Sequence, residues 1–224
     1  MRDLTGQRRG AIAIGALQGF DIALLPEALK LLRAKHPLIE AEVLIAGAEE
    51  LQRKLAAKEI DVALIFNPSP RLAADVVFSL SARPGVVMAA NHPLALSRSL
   101  RLSECLRYGF VLPDRSIGIR KLIEAAFEQA NIGTAAAVTT NSITLMKSML
   151  RLGQNVAILS VFDVHWEVAR GELAFVPIAE RSVEPETLVI ATPSNRRSSP
   201  AARALIETLR GLIKILQESL LQKA

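Results

Sequence analysis

Short apolar runs alternate along this chain with longer stretches in which apolar residues recur every three to four positions. Runs of the first kind read as buried strands, stretches of the second as amphipathic helices. Ala11 to Ile14, just before Gly15, is a strand. Ile22, Leu25, Leu29 and Leu32 then mark a helix over 22–35, with Asp21 as its expected N-cap and Pro26 in its first turn, where a missing N–H does little harm. His36-Pro37 ends it, because a residue before proline avoids helical dihedrals. Glu40 to Ile45 is a second strand, the segment around Leu51 and Leu55 a second helix, and Ile60 to Phe66 a third strand that closes at Asn67-Pro68. This β-α-β-α-β order requires a parallel sheet with right-handed crossovers.

Val76 to Leu80 and Gly85 to Ala90 are further strands, and the polar stretch Asn91-His92-Pro93 breaks the pattern. The theme then restarts. Phe110 to Leu112 is a strand, and Ser116 is the expected cap of a helix carrying Ile119, Leu122, Ile123, Ala126 and Phe127. Ala136 to Thr139 is a strand, and Ser142 caps a helix with Ile143, Met146 and Leu150, closed by Gly153. Val156 to Leu159 is a strand, and 162–170 a short helix ending at Gly171. Thr187 to Ala191 is the last strand, followed by a polar turn from Pro193 to Ser199 and a long helix from Pro200 to about Leu221. Two α/β units, with the chain crossing between them near 86–90 and again near 188–192, describe two lobes with a double hinge. Ligands of open α/β sheets sit beyond the carboxyl ends of strands, near helix N-termini, and a two-lobed protein can close such ends on a ligand.

Composition narrows the function. The chain has 224 residues, half of them hydrophobic but only 4% aromatic, so Ala, Leu, Ile and Val fill the core. The formal charge of +5 invites a polyanion partner, yet no run of five or six basic residues exists, and aromatic residues are too few for base stacking. This segment is therefore not expected to grip nucleic acid itself. The single cysteine, Cys105, excludes an internal disulfide. No apolar run reaches the roughly 18 residues of a membrane span, and the polar N-terminus carries no signal-peptide core. His36, His92 and His165 show no metal-ligand spacing, and neither a P-loop nor a G-x-G-x-x-G pattern occurs. No catalytic residue, metal or cofactor is expected. Cys105, in an apolar helical segment from Leu102 to Leu106, reads as a buried structural thiol.

Six segments, in order along nearly the whole chain, resemble the effector-binding domain of LysR-type transcription regulators. Leu4-Thr5-Gly6-Gln7-Arg8-Arg9-Gly10 to Gly15 resembles the junction between linker helix and effector domain. Leu25-Pro26 with His36-Pro37, and Leu51 through Ile60-Asp61-Val62-Ala63-Leu64, resemble two further family stretches. His92-Pro93-Leu94-Ala95, Leu152-Gly153-Gln154-Asn155-Val156-Ala157-Ile158-Leu159 and Ser199-Pro200-Ala201-Ala202-Arg203-Ala204 complete the set. The resemblance implies a type II periplasmic-binding-protein-like α/β fold, with two Rossmann-like lobes joined by a two-strand hinge. It implies the end of a linker helix over 1–9, lobe I over 10–88 plus 190–224, and lobe II over 89–189. A winged helix-turn-helix, which reads promoter DNA in the family, is expected outside this chain. The resemblance further implies a cytoplasmic homo-dimer or homo-tetramer, with dimer contacts through the helices 22–35 and 142–152, and no membrane partner.

A small-molecule effector, a carboxylate by family expectation, would lie in the cleft between the lobes. The first-lobe candidates are Ala16, Leu17, Gln18 and Gly19, whose backbone N–H groups precede a helix, with Phe66 as an apolar wall and Asn67 as an amide. The second-lobe candidates are Ser116, Ile117, Asn141 and Ser142, where hydroxyls that cap helices also offer donors. Arg115 and Arg120 offer guanidinium forks, with solvated surface arginine as the plainer reading. Two departures bear on the pocket. Ala16-Leu17-Gln18-Gly19 stands where many relatives carry Ser or Thr, and Ile158-Leu159-Ser160 lacks the usual proline. Two other readings share the fold: a solute-binding protein of a transport system, which needs a signal peptide, and a transferase or dehydratase, which needs a reactive group in the cleft.

Overall fold

The computed structural model describes residues 10–69, 73–133, 136–181, 183–195 and 197–221, without the side chains of 217–221. The expected linker-helix end over 1–9 lies outside the described residues. The chain divides into two units, Met1–Leu80 with Leu188–Ala224, and Ser81–Thr187.

In the first unit, β1 (Gly10–Ala16) pairs in parallel with β2 (Ile39–Ile45) and with β3 (Val62–Phe66). Helices α1 (Leu24–Lys35) and α2 (Ala48–Ala56) make the two crossovers. Two further strands, β4 (Ala74–Ala82) and β10 (Glu186–Pro193), extend the sheet to the order β2-β1-β3-β10-β4. β10 runs antiparallel to β3, so the sheet is mixed, with its parallel part where the sequence pattern requires one. Helix α1 buries Leu24, Leu25, Ala28 and Leu32 along one face. It packs on α6 (Pro200–Leu221), whose buried positions Ala202, Leu205, Leu209, Ile213 and Leu216 follow the same helical spacing. On the other side Leu51 and Leu55 of α2 cover Ile60, Ala63 and Ile65. Each fully buried leucine or isoleucine among these stabilises the unit by about 1.5–3 kcal/mol.

The second unit repeats the theme. β6 (Phe110–Pro113) and β7 (Ala136–Thr140) pair in parallel across α3 (Ile119–Gln129). β5 (Gly85–Ala89) lies between β8 (Ala157–Leu159) and β9 (Leu173–Pro177), antiparallel to both. Hydrogen bonds of Val111 and Gly109 with Val156 link the two groups of strands. Helices α4 (Ile143–Arg151) and α5 (Val161–Ala169) complete the unit. Phe110, Phe127, Ile123 and Val156 fill one side of the sheet, and Val87, Met146, Leu150 and Val164 the other.

Four sequence expectations need correction. Asp21 does not cap α1: the N-cap is Ala23, without a side-chain bond, and Asp21 Oδ1 accepts the N–H of Gly19 two residues upstream (2.9 Å). Ser116 does not cap α3, which starts after Gly118, because Asp114 captures the Ser116 hydroxyl and N–H first. The 102–106 segment is a single 3-10 turn, Leu102–Cys105, too short for α-helix, although Cys105 is buried as expected. The first crossing between units lies in β4, at Leu80/Ser81, rather than near 86–90, because both ladder partners of β5 belong to the second unit. β9 has no counterpart among the strands read from sequence. Ser142 does cap α4, accepting Leu145 N–H at 3.2 Å.

Candidate functional site

Parallel pairing brings the first-unit candidates together. Ala16 lies opposite Leu64 in the β1–β3 ladder, so the turn after β1 and the end of β3 emerge side by side. Phe20 is fully buried behind the turn and packs on Phe66, with ring centroids 5.0 Å apart, which fixes Phe66 as a wall. Asn67 follows at φ 42°, a left-handed conformation that asparagine tolerates better than most residues. Gly19, at φ 97°, meets the same need within the turn. Gln18 is exposed, Leu17 half-buried, and Ala16 and Gly19 are buried.

The expected open cradle of N–H groups is largely closed. Leu17 N–H donates to Leu64 O (3.2 Å) and Gly19 N–H to Asp21. The Ala16 carbonyl accepts Ala46 N–H (3.2 Å).

The second-unit candidates meet in the same way. Pro113 pairs with Thr140 at the ends of β6 and β7, and Asp114 N–H donates to Thr140 O (2.9 Å). Asp114 organises this end. Its Oδ1 accepts Ser116 N–H at 2.8 Å and the Ser116 hydroxyl at 2.6 Å. The Ser116 hydroxyl, then its N–H, holds the Asp114 carboxyl below the usual range. Ile117 N–H donates to Asp114 O (3.2 Å), and the Ile117 side chain packs against both apolar clusters of the unit. Ser142 N–H donates to Thr140 Oγ1 (3.1 Å), and Asn141 is exposed beside it. Arg115 and Arg120 do not present free forks: both face Glu124, at 3.7 and 2.9 Å, and Arg120 also donates to Pro113 O (2.9 Å).

Asp114 and Thr140 are the residues that sequence reasoning missed. The signal was present, since an aspartate two residues before a serine is an Asx-turn pattern. Among the described residues no group of three potential metal ligands occurs. Burial pushes the Cys105 thiol up to about 12, so it is held as a neutral thiol. No described helix is long and apolar enough to cross a membrane.

Comparison with known proteins supplies a family. The family described as "LysR substrate binding domain" matches residues 5–213. The chain is 24% identical, over 100% of its length and 71% of the relative's, to the "Probable RuBisCO transcriptional regulator" of Cyanophora paradoxa. It is 27% identical to the "HTH-type transcriptional regulator CbbR" of Xanthobacter flavus, covering 92% of this chain and 62% of that protein. The chain thus spans only part of these relatives. Among solved structures, the regulatory domain of Synechocystis PCC6803 CcmR, in complex with 2-PG, superposes with a TM-score of 0.76 at 18% identity, over 91% of this chain and 97% of that one. The effector binding domain of QuiR, in complex with shikimate, gives 0.70 at 20% identity, over 90% and 96%. At such identities these two likenesses speak for the fold alone.

Proposed function

The chain belongs to the LysR substrate binding domain family, and on that premise we propose that it is the effector-sensing and oligomer-forming part of a DNA-binding transcription regulator. The match over residues 5–213 carries this reading. The curated relatives are named as transcriptional regulators, which favours regulation over the transport reading. The fold is the type II periplasmic-binding-protein-like α/β fold. The regulator acts in the cytoplasm on promoter DNA through a separate winged helix-turn-helix domain, and this segment is not an enzyme. The lobes follow the two units, and effector binding biases one state of the regulator through unequal affinity for its states.

The effector contacts in this proposal are Ala16, Leu17, Gln18, Gly19, Phe66 and Asn67 in the first unit, and Ser116, Ile117, Asn141 and Ser142 in the second. The bonding favours a small polar molecule with an apolar part over a bare carboxylate. Asp21 and Asp114 already occupy the N–H groups of Gly19 and Ser116, and their charges oppose an anion nearby. Phe66 supplies the apolar contact, and Gln18, Asn67 and Asn141 supply amides. The dimer contacts proposed for the helices 22–35 and 142–152 fit the exposed Ile22, Leu145 and Leu152.

A thermal-shift screen of neutral and carboxylate metabolites tests the site. A ligand at one hundred times its Kd raises stability by about 2.7 kcal/mol. Phe66→Ala and Asn141→Ala should each abolish the shift. A ligand whose affinity neither substitution changes, or a plain carboxylate that binds best, would refute the proposed contacts.

A further inference from the structure

A second site lies wholly within the first unit and shares no residue with the effector candidates. A groove of about 630 Å³ runs between Val77 on β4 and the first half of α6. Arg197, Arg203 and Arg210 line it, against one carboxylate, Glu207. None of the three arginines forms an ion pair among the described residues. Arg203 and Arg197 are exposed, and Arg203 donates to Ser198 O. Arg210 differs from them. It reaches the sheet edge, where it donates to Val77 O, while its Nε–H is buried with no hydrogen-bond partner among the described residues.

A buried donor without an acceptor keeps its desolvation penalty uncompensated, so Arg210 is held in an arrangement that an acceptor for its Nε–H would improve. Guanidinium stays charged at any working pH and presents its N–H groups as a planar fork suited to oxyanions. Three positive charges against one negative leave the groove at +2, which matches a phosphate monoester, close to a dianion above its second pKa of about 6. A monocarboxylate would neutralise half of that charge. The volume lies within the range of about 300–1,000 Å³ common for small-molecule sites, and Val77 with Ile206 offers an apolar side for a carbon skeleton.

We propose that this groove binds a small phosphate monoester, gripped by the guanidinium groups of Arg197, Arg203 and Arg210. The site is distinct from the proposed effector contacts and shares no residue with them. Arg210 is bonded to Val77, and β4 carries the chain into the second unit at Ser81. Occupancy therefore acts on one of the two strands by which the chain passes between units.

Calorimetric titration of the 224-residue chain with glycerol 3-phosphate and inorganic phosphate, against acetate at matched ionic strength, tests the proposal. Glycerol 3-phosphate should bind one to one, at least about tenfold tighter than acetate, because charge-assisted forked bonds favour the dianion. Arg197→Ala and Arg203→Ala alter exposed side chains and should leave the melting temperature unchanged while weakening binding about tenfold each. Arg210→Lys keeps the charge, loses the fork and should weaken binding too, and Glu207→Gln should tighten it. Equal affinity for acetate, or full affinity in the Arg197→Ala/Arg203→Ala double variant, overturns the site. Phe66→Ala and Asn141→Ala must leave phosphate binding intact: if they abolish it while Arg203→Ala does not, the phosphate occupies the effector contacts and this proposal falls.

Discussion

Replacing Glu186 with glutamine should stabilise the protein at high pH and do little at low pH. Glu186 opens β10 with only 2% of its surface exposed, and its Oε2 has no hydrogen-bond partner among the described residues. Burial, then the Asp163 carboxylate, pushes its carboxyl up to about 8. Lys147, the buried lysine of this group among the described residues, is committed to Glu167 at 2.8 Å and to the Asp163 carbonyl at 2.9 Å. Glu186 therefore stays protonated in the folded protein over a range in which the unfolded chain has released the proton. Where the folded state binds more protons, stability falls as pH rises. The penalty starts near the ordinary glutamate value of 4.5 and levels off above about 8. Fully developed, it is on the order of 4–5 kcal/mol at about 1.4 kcal/mol per pH unit. Glutamine has nearly the same shape and no proton to lose. Urea unfolding of both proteins at pH 5, 7 and 9 reads the difference, with equal stability at pH 5 and a gain for Glu186→Gln of a few kcal/mol at pH 9. A stability difference that does not change with pH would refute the burial argument.

The Asp163 carboxyl, buried and raised to about 7 by desolvation, adds its own loss of stability as pH climbs from about 4 to 7, which the pH-dependent melting temperature of Glu186→Gln should retain. Lys147→Met should cost about 3–5 kcal/mol in urea unfolding, because Glu167 is left as an unpaired buried charge. The Lys147→Met/Glu167→Leu double variant should lose clearly less than the sum of the two single changes. Ser142→Ala removes a cap and should lose about 1 kcal/mol, whereas Ser116→Ala, which caps nothing, should stay within about 0.5 kcal/mol; equal losses would contradict the capping assignment. Gly85→Ala would drive a methyl into the Phe175 ring across the β5–β9 pair and should lower thermal stability by about 1–3 kcal/mol.

Legibility tracked the range of the interactions involved. The stripe through Leu25 and Leu32 predicts α1, and the parallel order of the first three strands follows from their connections. β9 was missed because Leu173–Pro177 is an apolar run of five residues just after a helix, where periodicity cannot separate a strand from a helix end. The Ser116 and Asp21 assignments failed for a shared reason. Each is a polar side chain with a near backbone or side-chain partner two residues away, and that local bond won over the helix end. The candidate effector positions were identifiable as strand ends followed by helices. Their bonding state was not, because Leu17 N–H finds its acceptor at Leu64 on another strand.

By itself, the sequence determined that this chain alternates strands and helices in two restarting units, and its family-like segments determined the family, because periodicity and motif order are written in local residue choice. Tertiary structure decided what depends on distant partners. It set β10 between β3 and β4, with the crossing at Leu80/Ser81. It turned the candidate N–H cradle into a largely satisfied one and buried Glu186 without a counter-charge. It also brought Arg197, Arg203 and Arg210 to one groove beside Val77. The physical reason is that burial and charge pairing depend on which segments meet in space, and segments more than a hundred residues apart meet only in the folded sheet.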